Sequence, residues 1–191
     1  MGAPHEQSSL YVFISFVIVN IDTFQHFSRK ALWNVELQEL VEKARHTKVR
    51  KRLMDLEVYR MINTILSTGA EPQAITQYLG IPASEREAMI QKAERVEPIR
   101  AGFSSGSPYE ICQRYYVGEL TRAQAIDELV RWEYKPQAKG EEWDPWGMEG
   151  GAPRVRGSWD DLDTAEVHKL IDDDFFNEVA DQIDAKAQAA L

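Results

Sequence analysis

The stretch from Leu32 to Ser67 contains neither glycine nor proline, and this unbroken length constrains the fold more than any other feature of the sequence. Its apolar residues recur at helical spacing in two stripes. The stripes are Leu37, Leu40, Val41 and Ala44, then Met54, Val58, Met61, Ile62 and Ile65. At about 100° per residue, the two stripes are rotated by roughly 60° from each other. We therefore expect either two helices with a joint near Thr47 or one long curved helix.

The first 31 residues have a different character, because their longest apolar run is short and rich in β-branched residues. This run, Leu10 to Val19, has ten residues, whereas a membrane-spanning helix needs about 20. A secretory signal would carry Lys or Arg before the run, where this chain has His5 and Glu6. We predict a short N-terminal strand or apolar arm over residues 1–31. A translation start further along the chain is the alternative.

Residues 72–96 have the spacing of a helix-turn-helix. Gly80 stands in the turn, and Ile75, Leu79 and Ile81 occupy the inward positions that hold two helices at a fixed angle. Ser84 and Glu87 have the spacing of a capping box at the start of the second helix. Its DNA-facing candidates are Arg86, Gln91 and Lys92. The alternative is a helical corner packed in a bundle, since Pro82 disturbs the turn and Arg86 falls where a core residue is expected.

Residues 107–191 are predicted to form two helical hairpins joined by a loop at 134–157 that is rich in Gly, Pro and Trp. The helix starts are marked by Ser107 with Glu110, Thr121 with Gln124, Ser158 with Asp161, and Asp174. The predicted fold is thus mainly α: a helical bundle with a helix-turn-helix, a short N-terminal strand or arm, and a C-terminal pair of hairpins. The predicted regions are 1–31, 32–100 and 107–191.

The charge is divided unevenly along the chain. The chain has 22 basic and 31 acidic residues, of which 13 basic and 12 acidic lie in residues 1–106, and 9 basic and 19 acidic in residues 107–191. The acidic part repels phosphates and favours a protein partner. In the first part, six basic residues fall within positions 43–52 with no acid between them. Together with the helix-turn-helix, the basic residues Lys48, Arg50, Lys51 and Arg52 are candidates for DNA contacts; the alternative is a solvated helix face.

Few residues have the spacing that a metal site or a catalytic site requires. Cys112 is the only cysteine, the four histidines are isolated from one another, and the acidic runs at 160–163 and 172–174 lack the pattern of a calcium loop. The sequence has no phosphate loop, dinucleotide fingerprint or nucleophile elbow. We expect a non-enzymatic cytoplasmic protein with no cofactor, no metal site and no membrane partner. Large aromatics serve as core filler or interface anchors, so Trp143, Trp146 and Trp159 are candidates for partner binding.

Two segments resemble a module of small helical actinobacterial proteins. Residues 102–136 read GFSSGSPYEICQRYYVGELTRAQAIDELVRWEYKP, and residues 157–181 read GSWDDLDTAEVHKLIDDDFFNEVAD, with Lys169 where the module has Gly. The short GELT hairpin is also similar in style to antitoxin and phage-regulator modules. The resemblance implies a regulatory or antitoxin-like role with a toxin or other basic protein as partner, and DNA as a second one. A pure interaction module or phage-derived accessory protein without DNA binding is the alternative.

Overall fold

The structure, a computed structural model, describes residues 7–137 and 154–189, with side chains from residue 35 onwards except that of Thr76. The described residues form seven helices and no strand. They are α1 (Gln7–Ser67), α2 (Pro72–Leu79), α3 (Arg86–Glu94), α4 (Pro108–Tyr116), α5 (Arg122–Arg131), α6 (Asp160–Val167) and α7 (Asp173–Ala189). The mainly-α class is confirmed. Two compact units divide the chain, Met1–Arg45 and His46–Leu191.

The first unit is helical from Gln7, so the short strand predicted within residues 1–31 is wrong, and the alternative of an apolar arm stays a prediction. Residues 7–67 contain no Gly or Pro at all, and β-branched residues cost only about 0.5 kcal/mol each in a helix. A strand needs a pairing partner, and the described residues offer only an isolated bridge between Lys135 and Ser158. For residues 32–67, one helix rather than two is observed.

In the second unit, the two predicted hairpins pack on each other, with α4 against α5 and α6, and α7 against α5 and α6. The buried core is made of Ile111, Cys112, Ala125, Ile126, Leu129, Trp132, Leu162, Ala165, Leu170, Ile171, Phe175 and Val179. Tyr115 stacks on Phe175 with ring centroids 4.7 Å apart. Val49 of α1 packs against the same core. Cys112 is fully buried, as expected of a core thiol.

The two hairpins follow one plan, displaced by 51 residues in the sequence. Ser107 corresponds to Ser158, Gly118 to Lys169 and Thr121 to Asp172. Gly118 and Lys169 both adopt left-handed backbone conformations, with φ of +80° and +55°. In each hairpin, the backbone amide of the residue after the left-handed one donates to the carbonyl five residues earlier. Glu119 donates to Arg114 at 2.8 Å, and Leu170 donates to Ala165 at 2.9 Å. The left-handed residue ends the first helix of each hairpin.

The helix starts confirm some of the predicted caps and correct others. The Thr121–Gln124 capping box is present, and the Ser107 hydroxyl accepts from the amide of Glu110 at 3.3 Å. The last helix is capped by Asp172, whose carboxylate accepts from the amide of Phe175 at 2.7 Å, and not by Asp174. The Ser84–Glu87 box is also wrong, because α3 begins at Arg86 with no side-chain cap. In both cases the residue at the N-cap position lies one or two positions away from the predicted one.

Glu110 does not complete a capping box, because its carboxylate binds two arginines instead. Arg60 of α1 donates two hydrogen bonds to it, at 2.7 and 2.6 Å, and Arg114 of α4 donates another at 3.1 Å. The amide of Gly106 adds a bond at 3.2 Å. A side chain at residue 106 would come within 2.9 Å of the Pro98 carbonyl oxygen, so glycine is required there. This buried cluster, which we call the Glu110 network, joins α1 to α4.

The Glu110 network holds its carboxylate in the ionised form. Burial raises the pKa of Glu110, but the hydrogen bond and the positive charge of Arg60 outweigh burial, and the pKa falls below its usual range. Arg114 also binds Glu119 at 2.7 Å and Glu57 at 3.3 Å. Every buried polar side-chain atom in the described residues has a partner. Removing one member therefore leaves a charge buried without compensation.

We expect Glu110→Gln to lower the free energy of unfolding by about 3 kcal/mol at pH 7, because Arg60 loses its carboxylate partner and Arg114 keeps only Glu57 and Glu119. The lowered folded pKa stabilises the protein above about pH 4.5, and this stability is lost as the pH falls through the folded pKa. The variant should therefore lose less stability than the parent on acidification. Urea denaturation from pH 7 to pH 3 measures both effects. Glu119→Gln, at a more exposed partner of Arg114, is the control and should cost less than about 1 kcal/mol; equal losses would contradict the network.

We expect Lys169→Gly to raise the free energy of unfolding by about 1 kcal/mol, because a left-handed backbone strains a residue that has a Cβ atom. The reciprocal change, Gly118→Lys, should lower it by a similar amount. A Cβ at residue 118 would meet no atom within 4 Å, so backbone strain alone is tested there. Thermal and urea denaturation of both variants check the prediction, and changes of the same sign would overturn the equivalence of the two turns.

Candidate interaction surface

Four apolar side chains of α1 lie side by side in solvent: Met54, Val58, Met61 and Ile65. Met54 and Met61 are each 60% exposed, and Val58 and Ile65 are each 39% exposed. Their spacing of four, three and four residues puts them on one side of the helix. We call this set the outer face of α1. Contiguous exposed apolar residues of this kind mark sites of protein interaction.

The opposite side of α1 is buried, and this burial fixes which side faces solvent. Leu53 and Ile62 are each 1% exposed. Ile62 packs with Ile75 of α2 and Ala93 of α3 in a second small core. Arg60 binds Glu110 from a different part of this buried surface, and Asn63 donates to the Ala93 carbonyl at 2.6 Å. The residues of α1 that contact α2, α3 and α4 are thus different from those of the outer face.

The outer face follows the seven-residue repeat of a coiled coil. In this frame Lys51, Val58 and Ile65 are at position a, and Met54 and Met61 at position d. Arg50 and Asp55, both exposed, occupy the flanking positions g and e. Counted back along the sequence, the same frame puts Leu37, Leu40 and Ala44 at its core positions. The sequence pattern predicts this stripe on α1 but separates it from that of Leu37, Leu40 and Ala44, because a period of 3.6 makes the two stripes diverge, whereas a period of 3.5 puts them in one frame.

The DNA candidates lie on two different helices. Lys48, Arg50, Lys51 and Arg52 are exposed on α1. On α3, Arg86 is half-buried and Lys92 is exposed. The side-chain amide of Gln91 donates to the carboxylate of Glu87 at 3.1 Å. Arg52 lines a cleft together with Arg154 and Arg156.

The segment predicted as a helix-turn-helix has two short helices and a long connection. Gly80 is left-handed, with φ of +65°, and Ile75 is buried as predicted. Leu79 is 49% exposed, so its inward assignment is wrong. Residues 80–85 separate α2 from α3, a longer connection than the three- to four-residue turn of the motif. Ile75 and Ala93 meet the end of α1 in a shared core, which gives a packed helical corner.

The tryptophan candidates have different positions. Trp159 is half-buried, with ring centroids 5.3 Å from Tyr134 and 5.4 Å from Phe176. Trp143 and Trp146 lie outside the described residues. Trp159 therefore contributes to packing between the second hairpin and the end of the first.

The described residues contain no group of His, Cys, Asp or Glu that could hold a metal ion. None of their helices is long and apolar enough to cross a membrane. No protein-family model, curated protein or solved structure matches the chain.

Proposed function

We propose that this chain is a non-enzymatic interaction protein that pairs with a second copy of itself through the outer face of α1. The observation that carries the proposal is the exposure of Met54, Val58, Met61 and Ile65 in coiled-coil spacing, opposite a buried side of the same helix. Because these side chains are 39–60% exposed, covering each of them would favour pairing by about 1 kcal/mol. β-branched residues at position a, here Val58 and Ile65, with residues at d that are not β-branched favour two parallel strands.

The charges beside the outer face support a second copy as the partner. In a parallel pair, position g of one helix meets position e of the next heptad on the other. Arg50 would therefore meet Asp55 of the second copy, and the two-fold axis makes this contact twice. Lys51 is a charged residue at a core position, and a single lysine there favours a dimer in one register at some cost in stability.

The resemblance to antitoxin and phage-regulator modules supports a regulatory or antitoxin-like role for such a dimer. The acidic part, residues 107–191, would then receive a basic protein such as a toxin, because its 19 acidic residues outnumber its 9 basic ones. DNA binding is the second candidate function, and the observation in its favour is the exposure of Lys48, Arg50 and Lys51 on α1. Pairing would bring two such basic stretches together.

We expect the full chain to be a dimer at about 50 µM, a concentration at which the burial of four apolar residues per chain supports association. The double variant Val58→Glu, Met61→Glu should be monomeric with unchanged helix content, because charge at the core positions is buried without a partner. Sedimentation velocity and circular dichroism measure both properties. Val167→Glu is the matched control, since Val167 is 65% exposed on α6 and lies outside the outer face.

A Met61→Cys variant tests the orientation of the pair. Equivalent d positions face each other in a parallel dimer, so mild oxidation should give a disulfide-linked dimer, and the native Cys112 is buried. A monomeric parent, or a dimer that both glutamate substitutions leave intact, would overturn the proposal. A dimer that Met61→Cys fails to cross-link would refute the parallel arrangement.

For the DNA-binding candidate, we expect a mobility shift on duplex DNA from the chain's own promoter at about 50 mM salt. Lys48→Gln with Arg50→Gln should weaken binding and reduce the salt dependence, by about 0.9 in slope for each phosphate that is no longer neutralised. Arg86→Gln with Lys92→Gln makes the same change of charge on α3. A larger effect on α3 would favour the predicted helix-turn-helix, and no shift at this salt concentration would exclude the regulator that binds DNA.

A further inference from the structure

A polar cleft of about 360 Å³ opens beside α4 and α6 in the second unit. Arg52 of α1, Tyr109 of α4, and Thr164 and His168 at the end of α6 line it. Arg154 and Arg156, which precede α6, complete its basic wall. Its volume is within the range of small-molecule sites.

The lining carries three guanidinium groups and one carboxylate, that of Asp161. Asp161 already accepts a hydrogen bond from the amide of Gly157, at 3.0 Å. Burial raises the pKa of Asp161 above its usual range. Because three guanidinium groups outnumber one carboxylate, the cleft is cationic, although residues 107–191 carry 19 acidic and only 9 basic side chains.

Neighbouring side chains position the donors around the cleft. Arg154 donates to the Thr164 hydroxyl at 2.7 Å, and the guanidinium carbon of Arg52 lies 5.4 Å from the centre of the Tyr109 ring. The Tyr109 hydroxyl is 2.8 Å from Nδ1 of His168. Arg156 has Glu97 at 3.5 Å as a partly exposed counter-ion. Each guanidinium has five N–H donors, so these contacts leave donors for a ligand.

We propose that this cleft binds the phosphoryl group of a small anionic ligand. Arginine forks match phosphate oxygens in pairs, and three of them from two chain segments suit a tetrahedral group with several oxygens better than one planar carboxylate. The acidic side chains of residues 107–191 repel a long polyanion. A small ligand can enter the cationic cleft without meeting that repulsion over its whole length, and so we commit to a small ligand rather than a nucleic-acid strand.

The test is isothermal titration calorimetry of the full chain with pyrophosphate as the probe, beside succinate and a ten-nucleotide single strand. Histidine ring signals in NMR spectra, assigned with a His168→Gln variant, report whether the probe reaches the cleft. We expect pyrophosphate to shift the His168 signal. Arg154→Gln with Arg156→Gln should raise the Kd at least tenfold, and Arg52→Gln at least threefold. Arg95→Gln with Arg131→Gln removes the same charge from exposed arginines that do not line the cleft, and should change the Kd less than twofold.

The outcomes separate the ligand classes. Binding of pyrophosphate that depends on Arg154 and Arg156 and moves the His168 signal supports the proposal. Equal losses in the control pair would show general charge attraction and overturn it, as would no binding at about 10 mM pyrophosphate. Succinate bound as tightly as pyrophosphate would refute the phosphoryl class, and binding of the oligonucleotide alone would refute the small ligand. Circular dichroism of each variant checks that the fold is retained.

Discussion

The carboxylate of Glu110 is the point on which the arrangement of α1 depends. It is 2% exposed and meets Arg60 from α1 and Arg114 from its own helix. Two guanidinium groups and a carboxylate can be buried at tolerable cost only together, so α1 must present Arg60 to α4. This requirement fixes the rotation of the helix about its own axis. Leu53 and Ile62 are buried on the two flanks of α1, and Met54, Val58, Met61 and Ile65 lie on the solvent-exposed arc between these flanks.

The shared plan of the two hairpins puts one acidic side chain, Glu110, inside the fold and its counterpart, Asp161, in the lining of a cleft. Glu110 and Asp161 occupy equivalent positions, and each accepts from the glycine amide four residues earlier, at 3.2 and 3.0 Å. Glu110 is longer by one methylene and is reached by Arg60, so its charge is neutralised inside the fold. Asp161 stays beside Arg52 and Arg156 in an open cleft. A duplicated plan thus gives two different local electrostatic environments, because α1 supplies a buried arginine to only one of them.

Local signals in the sequence were sufficient for the hairpins but not for the contacts between distant segments. Ser107, Thr121 and Gly118 act within a few residues of themselves, so their roles could be predicted from spacing. The partner of Glu110 lies 50 residues away, and capping spacing alone pointed to the backbone instead. The stripe of the outer face is readable from spacing, but its exposure depends on contacts that only the fold shows, and the cleft depends on the approach of Arg52 to Arg154 and Arg156, which lie about 100 residues further along the chain. The β-branched composition of residues 10–19 favours a strand, whereas the absence of Gly and Pro from residues 7–67 allows the helix that is observed.

The net charge of −9 describes neither of the two surfaces on which function is proposed. Electrostatic interaction weakens over about 8 Å at physiological salt, so a ligand responds to the few charges near it rather than to the whole chain. Beside the outer face those charges are Arg50, Lys51 and Asp55, and in the cleft they are three arginines and one half-buried carboxylate. The acidic average still matters for a long polyanion, which would touch both the basic residues and the acidic surface. A short helix or a small anion touches only one of them, and for that reason a second copy of the chain and a phosphorylated small molecule are the ligands that this distribution of charge favours.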